Sequence, residues 1–300
     1  NNARLSVGLE GLAVGDRAYQ QAVSYANERV QGRVVGGERG DPIVGHADVR
    51  RMLLTMKSQL EALRAIAYAN AEAVDLAKHH DDEDERTRAG ELADLLTPIT
   101  KGWGTDVGVE VTSLAIQVYG GMGYIEESGV AQHYRDIRIA PIYEGTNGIQ
   151  AMDLVGRKLP MRAGGAISDL VAAIDATAAE ASDRGGEFTD IGKSLADAAG
   201  EFRRTVEWLL ANGAEDPNNA LAGATPFLRM AGLVVGGWML TRGALAAAEL
   251  AAAGDTTFDA EFLTQKQVTA HFFATQLLPQ AAGLVPAITA GPSDLAAASF

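Results

Sequence analysis

The chain of 300 residues carries 25 lysines and arginines against 39 aspartates and glutamates, a formal net charge of -14; that balance excludes broad contact with nucleic-acid phosphates, which needs a basic face. An apolar content of 47% marks a globular chain. No cysteine is present, so disulfides, thiolate metal sites and a cysteine nucleophile are excluded, and a reducing cytoplasm is the compartment the composition fits.

Leu5, Leu9, Leu12, Ala18, Ala22 and Ala26 recur at helical spacing and predict a first helix from residue 2 to about residue 30. Asn1 to Glu28 carries acidic residues and no cationic n-region or cleavage site, so it does not read as a signal peptide, and a pattern that starts at once without an initiator methionine suggests a fragment of something longer. Gly36-Gly37-Glu38-Arg39-Gly40-Asp41-Pro42 reads as a loop. Met52, Met56, Leu60, Leu63, Ala67 and Ala71 form the stripe of a long helix from about His46 to Ala77. His79 and His80 then lead into five consecutive carboxylates, Asp81 to Glu85. Adjacent loop residues seldom converge on one metal ion, so this segment reads as a solvated helix junction.

Helical spacing resumes from Leu92 to Ile116, and Pro98 inside it predicts a break or a new start near Thr97, because proline lacks the N–H donor. A short helix near Ala131 to Ile137 and another launched after Glu144 and running to about Leu159 come next. Pro160 to Gly165 is the clearest boundary and divides residues 1–160 from 161–300. Beyond it, helices are predicted at about 166–182, 188–212, 221–253 and 258–281. Arg229, Arg242 and Glu249 interrupt the most apolar stretch, Phe227 to Ala253, which therefore reads as a buried bundle helix and not a transmembrane segment. With no strand alternation anywhere, the fold class is all-α, built as helical bundles.

The chemistry concentrates between Ala115 and Gln150. Two glycine-dense turns, Gln117-Val118-Tyr119-Gly120-Gly121-Met122-Gly123-Tyr124 and Ile142-Tyr143-Glu144-Gly145-Thr146-Asn147, flank the cationic Tyr134-Arg135-Asp136-Ile137-Arg138. Glu144 stands at a helix start beside Ile142 and Tyr143, where partial desolvation would raise a carboxylate toward the range of a general base. The other reading is a carboxylate that complements the helix dipole. Thr146 and Asn147 either cap that helix or donate to a phosphate or flavin oxygen at its N-terminus. Gly120, Gly121 and Gly123 either let backbone amides approach a pyrophosphate or simply end a helix. Arg29, Arg33, Arg135 and Arg138 are candidate phosphate forks or surface ion-pair residues.

Taken in order, Glu28-Arg29-Val30-Gln31-Gly32, the Gln117–Tyr124 turn, Tyr134-Arg135-Asp136, and Ile142-Tyr143-Glu144-Gly145-Thr146 with Gln150 and Arg157 resemble the C-terminal helical domain of the acyl-CoA dehydrogenases over about residues 1–160. Residues 160–300, with Ala222 to Arg229 and Phe272 to Ala281, resemble the helical extension of a longer bacterial branch acting on methylthiopropanoyl-CoA and fatty acyl-CoA thioesters. The resemblance implies FAD as cofactor, an acyl-CoA substrate, an electron-transfer flavoprotein as acceptor, and a homo-oligomer, because the family's flavin contacts cross subunits. It implies no metal. Glu144 would be the catalytic base for the α-proton while the β-hydride passes to flavin N5. The Glu144 amide and a flavin ribityl hydroxyl would hold the thioester oxygen, with Tyr143 and Gly145 flanking the thioester. Arg29 and Gln31 would meet the flavin pyrophosphate of a neighbouring subunit, and Gln117, Gly120 and Gly121 its adenylate end. Thr146 would reach a flavin phosphate, and Gln150 would support that region. Two alternatives stand beside this one, an oxygen-using acyl-CoA oxidase and a noncatalytic helical oligomerisation fragment. The first motif departs from the family, since Gln31 directly precedes Gly32 where the family places an aromatic residue. The family's N-terminal helical domain and middle β-domain also lie outside these 300 residues.

Overall fold

Residues 2–299 are described by a computed structural model whose regular elements are helices, with one isolated antiparallel bridge joining Val30 to Pro42. The first half holds α1 (Asn2–Glu28), α2 (Ala47–His79), α3 (Glu83–Pro98), α4 (Gly104–Tyr119), α5 (Gly121–Tyr124), α6 (Val130–Ile137) and α7 (Asn147–Asp153). The second holds α8 (Gly165–Arg184), α9 (Phe188–Glu215), α10 (Pro217–Ala222), α11 (Ala224–Ala252), α12 (Ala260–Phe272), α13 (Gln280–Thr289) and α14 (Ser293–Ala297). Three π-helical turns, Ile99–Trp103, Leu154–Lys158 and Phe273–Leu277, extend α3, α7 and α12.

Local chemistry sets several of the helix starts. Asp82 accepts from the amides of Asp84 and Glu85 at 2.8 and 3.1 Å, so the acidic junction serves as the N-cap of α3. Asp216 and Asp259 cap α10 and α12 in the same way.

The apolar stripes of both halves close on one hydrophobic core, in which Leu12, Met56, Leu63, Leu96 and Trp103 join Phe202, Phe227, Met230 and Phe273. Its axis is α11, the one helix among the described residues long and apolar enough to cross a membrane. The apolar window of α11 is 83% buried, surrounded by α2, α7, α8, α9, α12 and α13. Each Leu, Phe or Met side chain buried this way contributes about 1.5–3 kcal/mol, so packing inside the bundle accounts for the hydrophobicity of α11.

Helices α1 and α4 run parallel and pack very closely because glycines face one another across the seam. A Cβ on Gly11 would lie 2.4 Å from the carbonyl oxygen of Gly104, and one on Gly108 2.8 Å from that of Gly11. Further along the seam, the rings of Tyr25 and Tyr119 stack with centroids 3.9 Å apart. This seam positions both regions that the sequence marks as functional, one toward each end.

The structure corrects the expected break near Thr97. Helix α3 runs from Glu83 through Pro98 and passes by way of the π turn into α4 without a loop. Pro98 keeps a helical φ of -64°, the Thr97 hydroxyl donates to the Ala93 carbonyl at 2.7 Å, and the wider π turn absorbs the change of register. The helix expected over 221–253 is divided at Gly223. A Cβ there would stand 2.2 Å from the Ile288 carbonyl oxygen, so the backbone of α13 occupies the space a side chain would need. The last expected helix, 258–281, begins at the Asp259 cap and gives way to α13 after its π turn.

Candidate functional site

The C-terminal ends of α1 and α4, with the start of α2, enclose an open cleft of about 610 Å³. Arg29, Gln31, Gly120 and Gly121 line it beside Tyr25, His46 and Tyr119. Gly120 ends α4 at φ 59°, a conformation that favours glycine. Open space lies where the Cβ atoms of Gly120 and Gly121 would stand, which leaves their backbone unshielded. His46 donates from Nε2 to the Gln31 carbonyl at 2.9 Å, an arrangement that fixes both the ring tautomer and the segment leaving α1.

Glu144 occupies the turn between α6 and α7 at φ 56°, followed by Gly145 at φ 80°. A non-glycine residue in this region costs about 1–2 kcal/mol, so outside contacts must hold the turn. The expected desolvation of Glu144 by its apolar neighbours is not found, because the residue is exposed. Tyr143 extends its hydroxyl to the Glu10 carboxylate on α1. That hydrogen bond, with burial adding to it, pushes the Tyr143 phenol up to about 12. The amide N–H of Glu144 donates to no group among the described residues.

Beneath the turn lies Lys101, whose side chain is fully buried in the π turn between α3 and α4. Its Nζ donates to the Gly145 carbonyl at 2.8 Å and to Asn147 Oδ1 at 2.9 Å. Burial pushes the Lys101 ammonium down to about 8, against an opposing pull from Asp106. Asn147 in turn donates to the Gly102 carbonyl at 2.9 Å and to Asp106 Oδ1 at 2.8 Å. Asn147 is therefore spent inward, which corrects its reading as a donor to a ligand. The Thr146 hydroxyl accepts from the Ile149 amide at 3.3 Å as the N-cap of α7. Gln150 is buried, and its Nε2 donates to the carbonyls of Glu144 and Gly145 at 3.2 and 3.4 Å.

Two clusters result, with Arg29, Gln31, Gly120 and Gly121 in the cleft and Tyr143, Glu144, Gly145, Thr146 and Gln150 at the turn. Glu10, beneath Tyr143, and Tyr25, in the cleft, stand about 22 Å apart along α1 at about 1.5 Å of rise per residue. Gln117 is exposed on the last turn of α4 outside the cleft lining, its carbonyl accepting from the Gly120 amide at 3.0 Å. Arg135 pairs with Glu126 at 3.0 Å, and Arg33, Arg135 and Arg138 are absent from the cleft lining. Among the described residues no group of three His, Asp or Glu side chains gathers where a metal ion could be held. Lys101 and His46 escaped the sequence reading. A signal for Lys101 exists, since Thr97, Pro98, Gly104 and Thr105 at helical spacing around it are small and uncharged, the surroundings of a buried face.

Comparison with known proteins gives two family matches, one described as acyl-CoA dehydrogenase, C-terminal domain over residues 1–159, the other as acetyl-CoA dehydrogenase C-terminal like over 170–299. The 3-methylmercaptopropionyl-CoA dehydrogenase of Ruegeria pomeroyi is 46% identical over 302 residues, covering 100% of this chain and 50% of that protein. A butyryl-CoA dehydrogenase of Syntrophomonas wolfei is 32% identical, covering 98% of this chain and 48% of its own length. Among solved structures, Caenorhabditis elegans ACDH-11 in complex with C11-CoA superposes with a TM-score of 0.73 at 16% identity, covering 92% of this chain and 42% of that one. An acyl-CoA dehydrogenase from Bacillus anthracis complexed with FAD gives 0.60 at 18% identity, covering 99% and 48%. At such identities these two likenesses speak to fold alone. The chain spans about half the length of the curated relatives it matches. With its first 159 residues matching the dehydrogenase C-terminal domain and its helices arranged as in solved members, the chain belongs to the acyl-CoA dehydrogenase family.

Proposed function

We propose that this chain is the C-terminal part of an FAD-dependent enzyme that introduces a double bond between Cα and Cβ of an acyl-CoA thioester. The observation that carries the reading is Glu144 itself, a carboxylate presented outward from a left-handed turn, with an uncommitted amide N–H and a hydrogen-bonded support beneath it. Glu144 takes the α-proton, and the electron pair of that C–H bond becomes the new Cα=Cβ bond as the β-hydride departs. The chemistry FAD supplies when bound is acceptance of that hydride. The Glu144 amide is free to donate to the thioester oxygen, where negative charge grows as the proton leaves. Tyr143 and Gly145 flank the thioester. A covering wall contributed by the rest of the polypeptide or a neighbouring copy excludes water from the carboxylate and strengthens it as a base.

The cleft suits the nucleotide end of the cofactor by its donor set. Arg29 offers a guanidinium fork, Gln31 an amide, and Gly121 an unshielded backbone beside Gly120, whose own amide is spent on the Gln117 carbonyl but whose missing Cβ leaves room for close approach, with Gln117 at the margin. Because the cleft lies about 22 Å along α1 from the Glu144 turn, it serves a flavin shared with a neighbouring copy, and the enzyme is a homo-oligomer. Thr146 stays within reach of a flavin phosphate at the start of α7, and Gln150 secures the turn behind it. The same proposal includes an electron-transfer flavoprotein as acceptor, a cytoplasmic setting, and a division into a dehydrogenase bundle at 1–160 and a helical extension at 161–300.

The test is Glu144→Gln in the intact polypeptide. FAD and acyl-CoA binding are expected to persist while substrate no longer bleaches the flavin absorbance. Bleaching at a near wild-type rate contradicts the assignment.

A further inference from the structure

We infer that Lys101 is a positioning residue for Glu144, its buried ammonium clamping the Gly145 carbonyl so that the preceding carboxylate is presented at a fixed place. The inference rests on Glu144 being the base.

A fully buried ammonium is expensive unless it is paired or hydrogen-bonded, so the groups Lys101 touches say what it is for. Both of its acceptors, the Gly145 carbonyl at 2.8 Å and Asn147 Oδ1 at 2.9 Å, belong to the segment that carries Glu144. Neither belongs to the hydrophobic core around its stem. The turn above needs such a hold, because Glu144 and Gly145 are consecutive left-handed residues with no regular backbone ladder of their own. The charged bond from Asn147 to Asp106 Oδ1 at 2.8 Å holds the start of α7 beyond the turn, and the other ties on residues 143–145 are weaker in kind. Gln150 reaches the same carbonyls at 3.2 and 3.4 Å as a neutral donor, and the Tyr143 contact with Glu10 is exposed to water. The Lys101 bond is short, charged and shielded, the class of hydrogen bond worth most inside a protein.

The placement depends on a local irregularity. In the π turn Ile99–Trp103 the Gly104 amide donates to the Ile99 carbonyl, one residue wider than an α-helical bond. That extra residue re-aims the side chains of the segment relative to those of α3 and α4, and Lys101 is the one that meets the turn. The charged groups facing it are Asp106 on α4, Arg4 on α1 and Glu144 above.

The experiment uses the intact flavoenzyme and compares Lys101→Met and Lys101→Gln with Glu144→Gln. The expected result for Lys101→Met is a folded protein with wild-type flavin content and unchanged affinity for a non-reacting acyl-CoA thioether, but flavin reduction slowed on the order of 100-fold by displacement of the base. Lys101→Gln, which retains an N–H donor, should fall between Met and wild type. In the Glu144→Gln background, whose flavin substrate no longer reduces, Lys101→Met should leave affinity for the acyl-CoA thioether within about 2-fold of Glu144→Gln alone, because its effect passes through the missing carboxylate. Near wild-type reduction in Lys101→Met, or loss of fold in both Lys101 variants, overturns the inference, the second outcome making Lys101 a support of the bundle. Normal flavin reduction by Glu144→Gln alone is a separate failure, that of the base assignment.

Discussion

Replacing Gly11 by alanine tests the seam on which both functional regions are hung. The added methyl would stand 2.4 Å from the Gly104 oxygen, 2.9 Å from its carbonyl carbon and 3.0 Å from Thr105 Cα. All of these are backbone atoms, so no side chain can swing aside, and α1 and α4 must part by about 1 Å to reach ordinary contact. Overpacking of this kind costs about 3 kcal/mol, while exchanging a helix-interior glycine for alanine returns about 1 kcal/mol of helix propensity. The net loss of about 2 kcal/mol lowers the melting temperature of the helical unit by about 4 °C. Gly200→Ala in α9 is the control, since nothing lies within 4 Å of its would-be Cβ, and a rise of about 1–2 °C is expected from propensity alone. Scanning calorimetry on both variants reads the difference. If Gly11→Ala melts at or above the wild-type temperature, the close glycine seam is refuted.

Arg29→Ala should weaken FAD or AMP binding about 10-fold while leaving folding unchanged, the scale of one charge-assisted hydrogen bond; an unaltered affinity by titration removes Arg29 from the nucleotide site. The Lys101 ammonium titrates near 8 in the folded chain against an ordinary 10.5, so between those values the unfolded chain holds more protons and this group's contribution to stability rises with pH. Melting temperatures taken at about pH 8 to 10 should therefore climb more for wild type than for Lys101→Met, and parallel slopes would contradict the burial of the amine. Trp238→Phe removes an indole donor that meets the buried Thr177 hydroxyl at 2.9 Å, at a cost of about 1–2 kcal/mol in denaturant unfolding; a change under about 0.3 kcal/mol would show that this bond contributes nothing.

Most of the helical architecture was legible because it rests on periodicity. Met52, Met56, Leu60 and Leu63 mark the buried stripe of α2 in sequence and in space, and Gly120 ends α4 as glycine near a helix end suggests. Pro98 misled because its effect depends on the backbone after it, and a π turn keeps the chain helical where an α-helix alone would break. The burial of Glu144 misled for another reason. Ile142 and Tyr143 are its neighbours in sequence, but both are exposed, and desolvation depends on the atoms that cover a group in space. Lys101 shows the complementary limit. Its helical neighbours mark a buried face, but the acceptors that the lysine meets there belong to a turn some forty residues later, which no local pattern names.

The central claim, that Glu144 removes the α-proton, is tested most directly by α-deuterium exchange. In the intact polypeptide, incubating acyl-CoA in deuterated water with the wild-type enzyme should incorporate label at Cα, and Glu144→Gln with full flavin content should incorporate none above the uncatalysed rate. Exchange by that variant at a rate near wild type would contradict the claim.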